Sequence, residues 1–473
     1  MQVKDLVRVF VKGGVISPGE FLKIIHIAEN LGSSEIHFGS RQDIMFSVDE
    51  SNLDQLGQTF SSINAQYEIN TFNFQNISSS YVTVDLIQGK SWLVSHVYIN
   101  IIDSFDYEPA LRINIVDANQ GLVPLFTGNI NFIASSQDNY WYVYLRFKHL
   151  SADRWQVPVL VYSDDIAKVA KAIEDFAPEA NGMDYQDVSK RLVEEVKMNY
   201  QPVTDELVFS DTIFPYYEGI NRASEGKYWL GLYWRSNRYN TAILKAICER
   251  CLMTEVGKIC LTPWKSFVIK GIFEKDRIGW EKLLGRFGMN LRHSALEMNW
   301  HLPALDREAL NLKIFLVRTL DQQDISTYGL TFTIKTTEDI TLFTSIVIEK
   351  DLENSGEVPL YHILYSKDFN PNSGVYFRYA TDVNKAVIAP LLIDLSKMYF
   401  DQLAEETPEA PTQKIVNLME KMLFQCTNCL TIYDEQYGDD RQQIPAGTPF
   451  SKLPDTYECP VCGSGKASFA QMV

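Results

Sequence analysis

The chain alternates between stretches whose apolar residues have the spacing of a β-strand and stretches whose apolar residues have the spacing of a helix. Residues 7–11 are predicted to form a strand, and apolar residues at helical intervals follow over residues 18–31. Ser17 and Gly32 flank this run, and these residue types favour the start and the end of a helix. Two further strands and a second helix are predicted over residues 36–38, 44–48 and 52–63.

Much the same order of elements returns later in the chain. A strand is predicted over residues 228–234 and a helix over residues 240–253. Two strands and another helix follow over residues 259–261, 266–272 and 279–287. The turn in GSRQDIMFSV, residues 39–48, then corresponds to the turn in LTPWKSFVIKGI, residues 261–272. We therefore predict an internal repeat with two pseudo-symmetric α+β halves.

Four of the seven cysteines lie close to the end of the chain, in two C-x2-C pairs. The pairs are Cys426/Cys429 and Cys459/Cys462. Each pair can form a tight turn that directs two sulfurs to one point, and two such turns facing each other form a tetrahedral cage suited to zinc or iron. Spacing alone leaves a structural zinc site open as an alternative.

The residues around these pairs carry a resemblance to a known family. They include IYD at residues 432–434, PAGTPF at residues 445–450 and LPD at residues 453–455. With these motifs, the segment from about residue 424 to residue 469 resembles rubredoxin. The resemblance implies one bound iron that passes one electron at a time, with zinc as a substitute metal. Its ligands would be Cys426, Cys429, Cys459 and Cys462.

Two residues depart from the rubredoxin pattern. Leu430 stands where the family usually has glycine after the first pair, and Tyr457 stands where it usually has tryptophan. If the backbone at position 430 needs an angle that suits only glycine, a residue with a Cβ is strained there. We then expect the first cysteine turn to relax, so the family's reduction potential does not carry over.

The N-terminal part of the chain carries a second resemblance. Residues 1–70 and 225–290 resemble the ferredoxin-like half-domains of the sirohaem-dependent nitrite and sulfite reductases, in which a Thr-x-Arg-Gln turn recurs. Ser40-Arg41-Gln42 matches the end of that turn. Residues 112–114 and 129–134 resemble a strand pair of the family's larger half-domain. An ordinary α+β protein with unrelated repeats is the alternative.

The residues that hold the cofactors of that family are incomplete in this chain. A sirohaem reductase uses C-x5-C and C-x3-C pairs to hold a [4Fe–4S] cluster, whereas Cys248, Cys251 and Cys260 form neither pair. Gln75 and Asn114 stand where the family carries cations for the sirohaem carboxylates. We therefore expect neither sirohaem nor a [4Fe–4S] cluster.

Two basic residues remain at positions that match the family. Arg41 and Arg112 are therefore candidates for binding a tetrapyrrole or another anion. The alternative is that both arginines form ordinary structural ion pairs, as isolated basic residues usually do.

Composition restricts the classes of partner. The chain has 473 residues, a formal net charge of −17 and 46% hydrophobic residues. An acidic chain is a poor partner for nucleic acid and for anionic membranes, since phosphate contacts need basic side chains. No apolar run reaches the roughly 18 residues of a membrane span, and the first residues, MQVKDLVRVFVKGG, carry charges where a signal peptide is apolar. We expect a cytoplasmic protein without a nucleic-acid or membrane partner.

Other catalytic motifs are missing from the sequence. It contains no dinucleotide fingerprint, P-loop, zinc-protease motif or serine-hydrolase motif. Without a nucleotide-binding motif, the chain would receive electrons from a redox partner protein, with a flavoprotein as donor, a reductase as acceptor, or both. Whether the chain is an enzyme by itself stays open, and an electron-transfer component is the preferred interpretation.

The sequence as a whole predicts an α+β chain of two ferredoxin-like/sulfite-reductase-like halves and a small metal-binding domain. The predicted parts are half-domain 1 at 1–70, a larger domain at 71–200, half-domain 2 at 225–305, a second larger domain at 306–404, a linker at 405–420 and rubredoxin at 421–473. The predicted function is electron transfer from an iron site on a catalytically degenerate scaffold that serves assimilatory nitrite, nitrate or related reduction. The alternatives are an active reductase that binds a tetrapyrrole through Arg41 and Arg112, and a zinc-binding structural or assembly factor.

Overall fold

The structure is a computed structural model that describes most of the chain. The described residues are 4–471 apart from residues 64, 88, 148–153, 177–183, 209–212, 224–225, 235, 290–294, 339–340, 355, 357, 407–422 and 436. The chain forms two compact units, Met1–Phe400 and Asp401–Val473. The N-terminal unit contains both α+β halves, and the C-terminal unit contains both cysteine pairs.

The first half of the N-terminal unit is a sheet packed against helix α1. Its elements are β1 (Lys4–Val9), β2 (Val15–Ile16), α1 (Pro18–Asn30), β3 (Glu35–Phe38), β4 (Ile44–Asp49), α2 (Leu56–Phe60) and β5 (Tyr67–Ile69). The Ser17 hydroxyl accepts a hydrogen bond from the backbone N–H of Glu20 at 3.1 Å, and Gly32 follows the helix with a φ of 86°. Ser17 and Gly32 therefore flank α1 as predicted.

A larger sheet follows in the chain. Its elements are β6 (Ser78–Ser79), α3 (Ser95–Asp103), β7 (Ile113–Val116), β8 (Ile130–Ala134), β9 (Tyr140–Leu145), β10 (Trp155–Gln156), β11 (Val159–Tyr162), α4 (Ile166–Asp175), α5 (Tyr185–Glu195) and β12 (Tyr200–Pro202). The strand order is β12-β11-β9-β8-β7-β6, and β10 pairs with β9. β6, β7 and β8 are parallel, and the other pairs are antiparallel.

From its second strand onward, the second half repeats the element order of the first half. Its elements are β13 (Gly219–Arg222), β14 (Lys227–Tyr233), β15 (Tyr239–Asn240), α6 (Thr241–Met253), β16 (Ile259–Leu261), β17 (Ser266–Phe273) and α7 (Arg277–Arg286). β14 pairs antiparallel with β17, as β1 does with β4. The Asn240 side chain caps α6, as Ser17 caps α1. The predicted repeat of two pseudo-symmetric halves is therefore confirmed.

A last sheet completes the N-terminal unit. Its elements are α8 (Ala295–Met298), β18 (Trp300–His301), α9 (Arg307–Gln322), β19 (Phe332–Lys335), β20 (Ile346–Lys350), β21 (Tyr361–Ser366), β22 (Tyr376–Val383) and α10 (Lys385–Glu406). Strands β18, β19 and β20 run parallel to one another, and the pairs β20-β21 and β21-β22 are antiparallel. The larger sheet shows the same succession of parallel and antiparallel pairs from β6 to β11. Among the described helices, none combines the length and the apolar character needed to cross a membrane.

Each half lends a short strand to the sheet of the other half. β15 pairs with β3, which gives the order β15-β3-β4-β1-β5. β2 pairs with β16, which gives the order β13-β14-β17-β16-β2. Phe38, Tyr239 and Phe267 contact one another in a hydrophobic cluster that both halves build. Neither half therefore completes its core alone.

The predicted second helix is shorter than residues 52–63. Glu50–Gln55 is a 3-10 helix, and only Leu56–Phe60 is α-helical. The 3-10 helix has no side-chain cap at its start, so one of the signals that stabilise the beginning of a helix is missing near residue 52. The α+β fold class is confirmed, whereas the boundaries of the six predicted parts stay predictions. The predicted linker lies outside the described residues from residue 407 onward.

The C-terminal unit has a small sheet and an aromatic core. The strands β23 (Phe424–Cys426), β24 (Ile432–Tyr433) and β25 (Phe469–Gln471) form a sheet of order β24-β23-β25. The rings of Phe424 and Phe450 stack with their centroids 4.0 Å apart. The buried residues of this core are Tyr433, Ile444, Phe450, Leu453 and Tyr457. A core of this size is too small to hold a domain alone, so we expect metal binding to supply folding free energy.

Each half has a tight turn at the equivalent position, between the last two strands of its repeat. Gln42 lies between β3 and β4, and Lys265 lies between β16 and β17; each has a φ of 61°. The buried Gln42 side chain donates to the backbone oxygens of Ser79 (3.0 Å) and Leu261 (2.8 Å). Its oxygen accepts from the backbone N–H of Ser79 at 2.8 Å. Gln42 therefore connects the first half to the larger sheet and to the second half.

Replacing Gln42 with alanine is expected to destabilise the N-terminal unit by about 2–4 kcal/mol, because buried backbone groups of Ser79 and Leu261 lose their partners. Urea unfolding of the full chain, followed by tryptophan fluorescence, measures this change, since all 8 tryptophans lie in the N-terminal unit. The matched control is Gln58→Ala, at an exposed position of α2, which should change stability by less than about 0.5 kcal/mol. Equal effects of the two substitutions would contradict the connecting role of Gln42.

Candidate metal centre

The cysteine pairs lie in two tight turns of the same design, which we call the first knuckle (residues 426–431) and the second knuckle (residues 459–464). In each knuckle the backbone N–H of the first cysteine donates to the carbonyl of the sixth residue, at 2.8 Å in the first knuckle and 2.7 Å in the second. The N–H of the fifth residue donates back to the carbonyl of the first cysteine, at 2.9 Å in both knuckles. The two knuckles are therefore equivalent in backbone structure.

The fifth residue of each knuckle has a left-handed backbone. The φ angle is 63° at Leu430 and 72° at Gly463. A residue with a Cβ is less stable than glycine in this region by roughly 1–2 kcal/mol. The expected relaxation of the first knuckle is therefore wrong, because its backbone hydrogen bonds hold the strained leucine in the same conformation that glycine adopts in the second knuckle.

The four sulfurs meet between the knuckles. Cys426 Sγ lies 3.7 Å from Cys462 Sγ, and Cys429 Sγ lies 3.4 Å from Cys459 Sγ. All four sulfurs lie within 4.8 Å of one another. A tetrahedral site with metal–sulfur bonds of about 2.3 Å has edges of about 3.8 Å, so this donor set fits one zinc or iron ion. The structure thus brings together the four cysteines named from the sequence.

Hydroxyl groups lie beside two of the sulfurs. Thr431 Oγ1 is 3.1 Å from Cys429 Sγ, and Ser464 Oγ is 3.1 Å from Cys462 Sγ. Hydrogen bonds from the side chain and the backbone of Ser464 lower the pKa of Cys462 to about 6. The thiolate, which is the form that binds metal, is therefore favoured at this corner of the site.

The site is open to solvent on one side. Cys426 and Cys459 are buried, whereas Cys462 is exposed. Leu430 and Val461, which belong to the two knuckles, are 66% and 68% exposed. An electron can therefore leave through this side without crossing the core of the unit.

Arg41 is half-buried in the turn between β3 and β4, where its guanidinium group binds the protein itself. Its guanidinium donates to Asn114 Oδ1 at 2.6 Å and to the backbone oxygens of Asn76 (2.9 Å) and Ile113 (2.6 Å). Burial and the nearby charge of Arg112 lower the pKa of Arg41 to about 9. Arg41 therefore attaches the first half to the larger sheet, through hydrogen bonds to neutral acceptors.

Arg41 and Arg112 both line a cavity of about 480 Å³ in the N-terminal unit. Arg112 Nη1 donates to Thr341 Oγ1 at 3.1 Å. Lys265 also lines the cavity, and burial together with the charge of Lys313 lowers its pKa to about 7. The lowered pKa reduces the positive charge of Lys265 near neutral pH, but the arginines of the lining still outnumber its carboxylate, Asp43, so the lining is net basic and suits an anion.

Some buried polar atoms of this lining lack hydrogen bonds. Arg41 Nε, Asp43 Oδ1 and His301 Nδ1 have no hydrogen-bond partner among the described residues. Burial and the charge of Lys265 lower the pKa of His301 to about 3, so its imidazole is neutral. A bound molecule or water could satisfy these atoms.

The other three cysteines are core residues. Cys248 and Cys251 lie on α6 and Cys260 lies on β16, and all three are 0% exposed. Burial raises the pKa of Cys251 to about 12 and also raises that of Cys260. Over the described residues, the N-terminal unit brings no four thiols together at one point.

Comparison with known proteins identifies the domain that holds the metal site. Residues 423–469 match the rubredoxin family. This segment is 50% identical over 48 residues to Rubredoxin-2 of Desulfovibrio desulfuricans. The match covers 10% of this chain and 77% of that protein. Through this domain the chain belongs to the rubredoxin family. A rubredoxin domain implies an iron site that transfers electrons.

The rubredoxin domain also resembles a small part of a larger protein. The anaerobic nitric oxide reductase flavorubredoxin of Pectobacterium atrosepticum is 40% identical over 62 residues. The match covers 13% of this chain and only 12% of that protein. The similarity is therefore confined to a small part of the flavorubredoxin.

The N-terminal unit has relatives of its own. Residues 2–60 match the nitrite/sulfite reductase ferredoxin-like half domain. The solved structure of the Mycobacterium tuberculosis NirA protein superposes on this protein with a TM-score of 0.61 and 14% sequence identity. The superposition covers 83% of this chain and 80% of that chain. Identity this low establishes the fold alone. The N-terminal unit therefore has a nitrite/sulfite-reductase-like fold.

The sequence indicated the ligand residues but not the groups around them. Thr431 and Ser464 occupy the same position after each cysteine pair, and the repeated C-x2-C-x-[ST] spacing was the signal that could have found them. The cavity residues Lys265 and His301 had no such signal, because they come from distant segments that meet only in the folded unit.

Replacing Leu430 with glycine is expected to stabilise the rubredoxin domain by about 0.5–1 kcal/mol, because glycine removes more strain than it adds freedom to the unfolded chain. The denaturant concentration that releases the metal, followed by visible absorbance, measures the change. The matched control is Ile432→Gly, at an exposed position of β24, which should be destabilising because glycine weakens a strand. Destabilisation by Leu430→Gly would contradict the strain at this position.

Proposed function

We propose that this protein is a one-electron carrier whose rubredoxin domain exchanges electrons with a larger redox enzyme. The observation that carries the proposal is the set of four cysteine sulfurs within 4.8 Å of one another inside a rubredoxin domain. An iron ion held by four thiolates supplies a one-electron Fe(III)/Fe(II) couple. The two knuckles position the sulfurs, and the exposed side at Cys462 gives a partner access to the site.

The N-terminal unit would act as a docking scaffold that is degenerate as a nitrite or sulfite reductase. Two observations support this role: the terminal nitrogens of Arg41 are used in bonds to the protein, and the part of the unit that the structure describes brings no four thiols together for a [4Fe–4S] cluster. The reductase-like fold supports assimilatory nitrite or nitrate reduction as the setting, with the protein in the cytoplasm. The flavorubredoxin relative supports a flavoprotein as the electron donor.

Protein purified from its own host is expected to hold one iron per chain and to be red when oxidised and colourless after dithionite. Metal analysis and a visible spectrum measure this. Cys426→Ser with Cys459→Ser should abolish both signals, whereas the control Cys260→Ala, in the N-terminal core, should keep them. Stoichiometric zinc without visible absorbance would contradict the proposal and favour the zinc-binding structural or assembly factor; zinc after heterologous expression would not, because zinc competes well for thiolates.

A second candidate is an active reductase that binds a tetrapyrrole or another anion through Arg41 and Arg112. The observation that favours it is the basic cavity of about 480 Å³ that both residues line. The same spectrum separates the two candidates. A Soret band with the red absorbance of an isobacteriochlorin, or acid-labile sulfide, would favour the reductase.

Acidic residues on the rubredoxin domain are candidates for steering the partner. Some of them have structural roles: Asp439 Oδ2 accepts from the Tyr457 hydroxyl at 3.1 Å, and Glu435 Oε1 accepts from the backbone N–H of Phe450 at 2.8 Å. Asp455 is exposed and can be replaced without breaking such a bond. Exposed carboxylates of this kind attract a basic partner surface over about 8–10 Å at moderate salt.

Charge reversal by Asp455→Lys with Glu458→Lys, both exposed, is expected to slow reduction of the iron by an NAD(P)H-dependent flavoprotein about three- to tenfold at low salt. The difference should shrink as the ionic strength rises. Stopped-flow measurements at low and high salt test this. The matched control is Glu50→Lys with Asp54→Lys, which makes the same change in net charge at exposed positions of the N-terminal unit. A rate that ignores the substitutions and the salt would exclude these carboxylates from docking.

A further inference from the structure

The sixth residue of each knuckle places a hydroxyl group beside a sulfur ligand. Thr431 Oγ1 lies 3.1 Å from Cys429 Sγ, and Ser464 Oγ lies 3.1 Å from Cys462 Sγ. A metal-bound thiolate carries no proton, so the hydroxyl must be the donor in both contacts. Each knuckle therefore supplies one side-chain hydrogen bond to its second cysteine.

Asn428 fixes the direction of one of these hydroxyls. Its Nδ2 donates to Ser464 Oγ at 2.7 Å. Because the oxygen accepts this bond, the hydroxyl proton of Ser464 remains available to Cys462 Sγ. Asn428 belongs to the first knuckle and Ser464 to the second, so the bond also links the knuckles.

We propose that Thr431 and Ser464 raise the reduction potential of the iron, and that Asn428 affects the potential only through Ser464. The inference rests on the proposed function, because it concerns an iron site. Reduction adds one electron and no proton, so the charge of one iron with four thiolates changes from minus one to minus two. A hydroxyl that donates to a thiolate stabilises the more negative, reduced state more strongly. The three residues position hydrogen bonds beside the sulfur ligands and in this way affect the Fe(III)/Fe(II) potential, and none of them binds the metal.

The test is a potentiometric titration of the full-length iron protein, followed by visible absorbance. Thr431→Val and Ser464→Ala are each expected to lower the ratio of reduced to oxidised iron at a fixed potential by about three- to tenfold, where tenfold corresponds to about 59 mV. Thr431→Ser keeps the hydroxyl and should retain the original potential. The matched control is Thr427→Val, which removes a hydroxyl of the first knuckle that donates to Ser468 O at 2.9 Å and not to sulfur.

The role of Asn428 has its own test. Asn428→Ala should lower the potential by less than Ser464→Ala does, and it should have no further effect when Ser464→Ala is already present. If Ser464 gives its proton to the Asn428 side-chain oxygen instead, Asn428→Ala will raise the potential, which overturns the inference for this pair. Potentials of Thr431→Val and Ser464→Ala that equal that of Thr427→Val overturn the whole inference.

Failure of the proposed function is distinguishable from failure of this inference. The metal content of host-purified protein decides the function before any variant is titrated. If that protein holds zinc, the metal-free chain is reconstituted with ferrous iron, and the same comparison of potentials applies. For a variant that binds iron weakly, the sulfur-to-iron charge-transfer band gives a second measurement: it should move to lower energy in Thr431→Val but not in Thr431→Ser, and an unchanged band in both contradicts the inference.

Discussion

A single residue with a positive φ sets each of the tight turns on which the candidate sites depend. Gln42 and Lys265 occupy equivalent turns of the two halves, and Leu430 and Gly463 occupy the two knuckles. Only glycine adopts this conformation freely, so the other three must be held there by their surroundings. Gln42 is held by buried hydrogen bonds, and Lys265 donates from its ammonium group to the backbone oxygen of Leu302. In both turns, hydrogen bonds of the side chain itself hold the backbone conformation.

The order of elements and the four-cysteine set could be predicted because both are local patterns. The period of apolar residues defines α1 and its counterpart α6, and two C-x2-C pairs define the ligands of the metal. The potential strain at Leu430 was also recognisable as a departure from glycine. What the sequence could not decide was whether the turn would relax, because that depends on the balance between backbone hydrogen bonds and a cost of roughly 1–2 kcal/mol.

The reciprocal exchange of β2 and β15 could not be predicted for a different physical reason. Each strand has only two residues, which is too short for a periodic pattern, and its partner lies in the other half of the chain. The role of Arg41 is hidden for the same reason. Its acceptors include a side-chain amide and two backbone carbonyls of distant residues. Every residue has a backbone carbonyl, so the sequence does not show which carbonyls will accept a hydrogen bond from Arg41. An arginine that matches a ligand-binding position can therefore be part of the protein's own framework.

The distribution of donors around the metal site follows its exposure. The buried sulfurs of Cys426 and Cys459 are shielded from water by the core, whereas Cys429 is half-buried and Cys462 is exposed. The two hydroxyls lie beside these more exposed sulfurs. Water at an exposed sulfur must reorient when the charge of the site changes, but a donor that is fixed by its own knuckle need not. The arrangement therefore gives the open side of the site a fixed polar environment, and this suits a centre that must gain and lose an electron with little rearrangement.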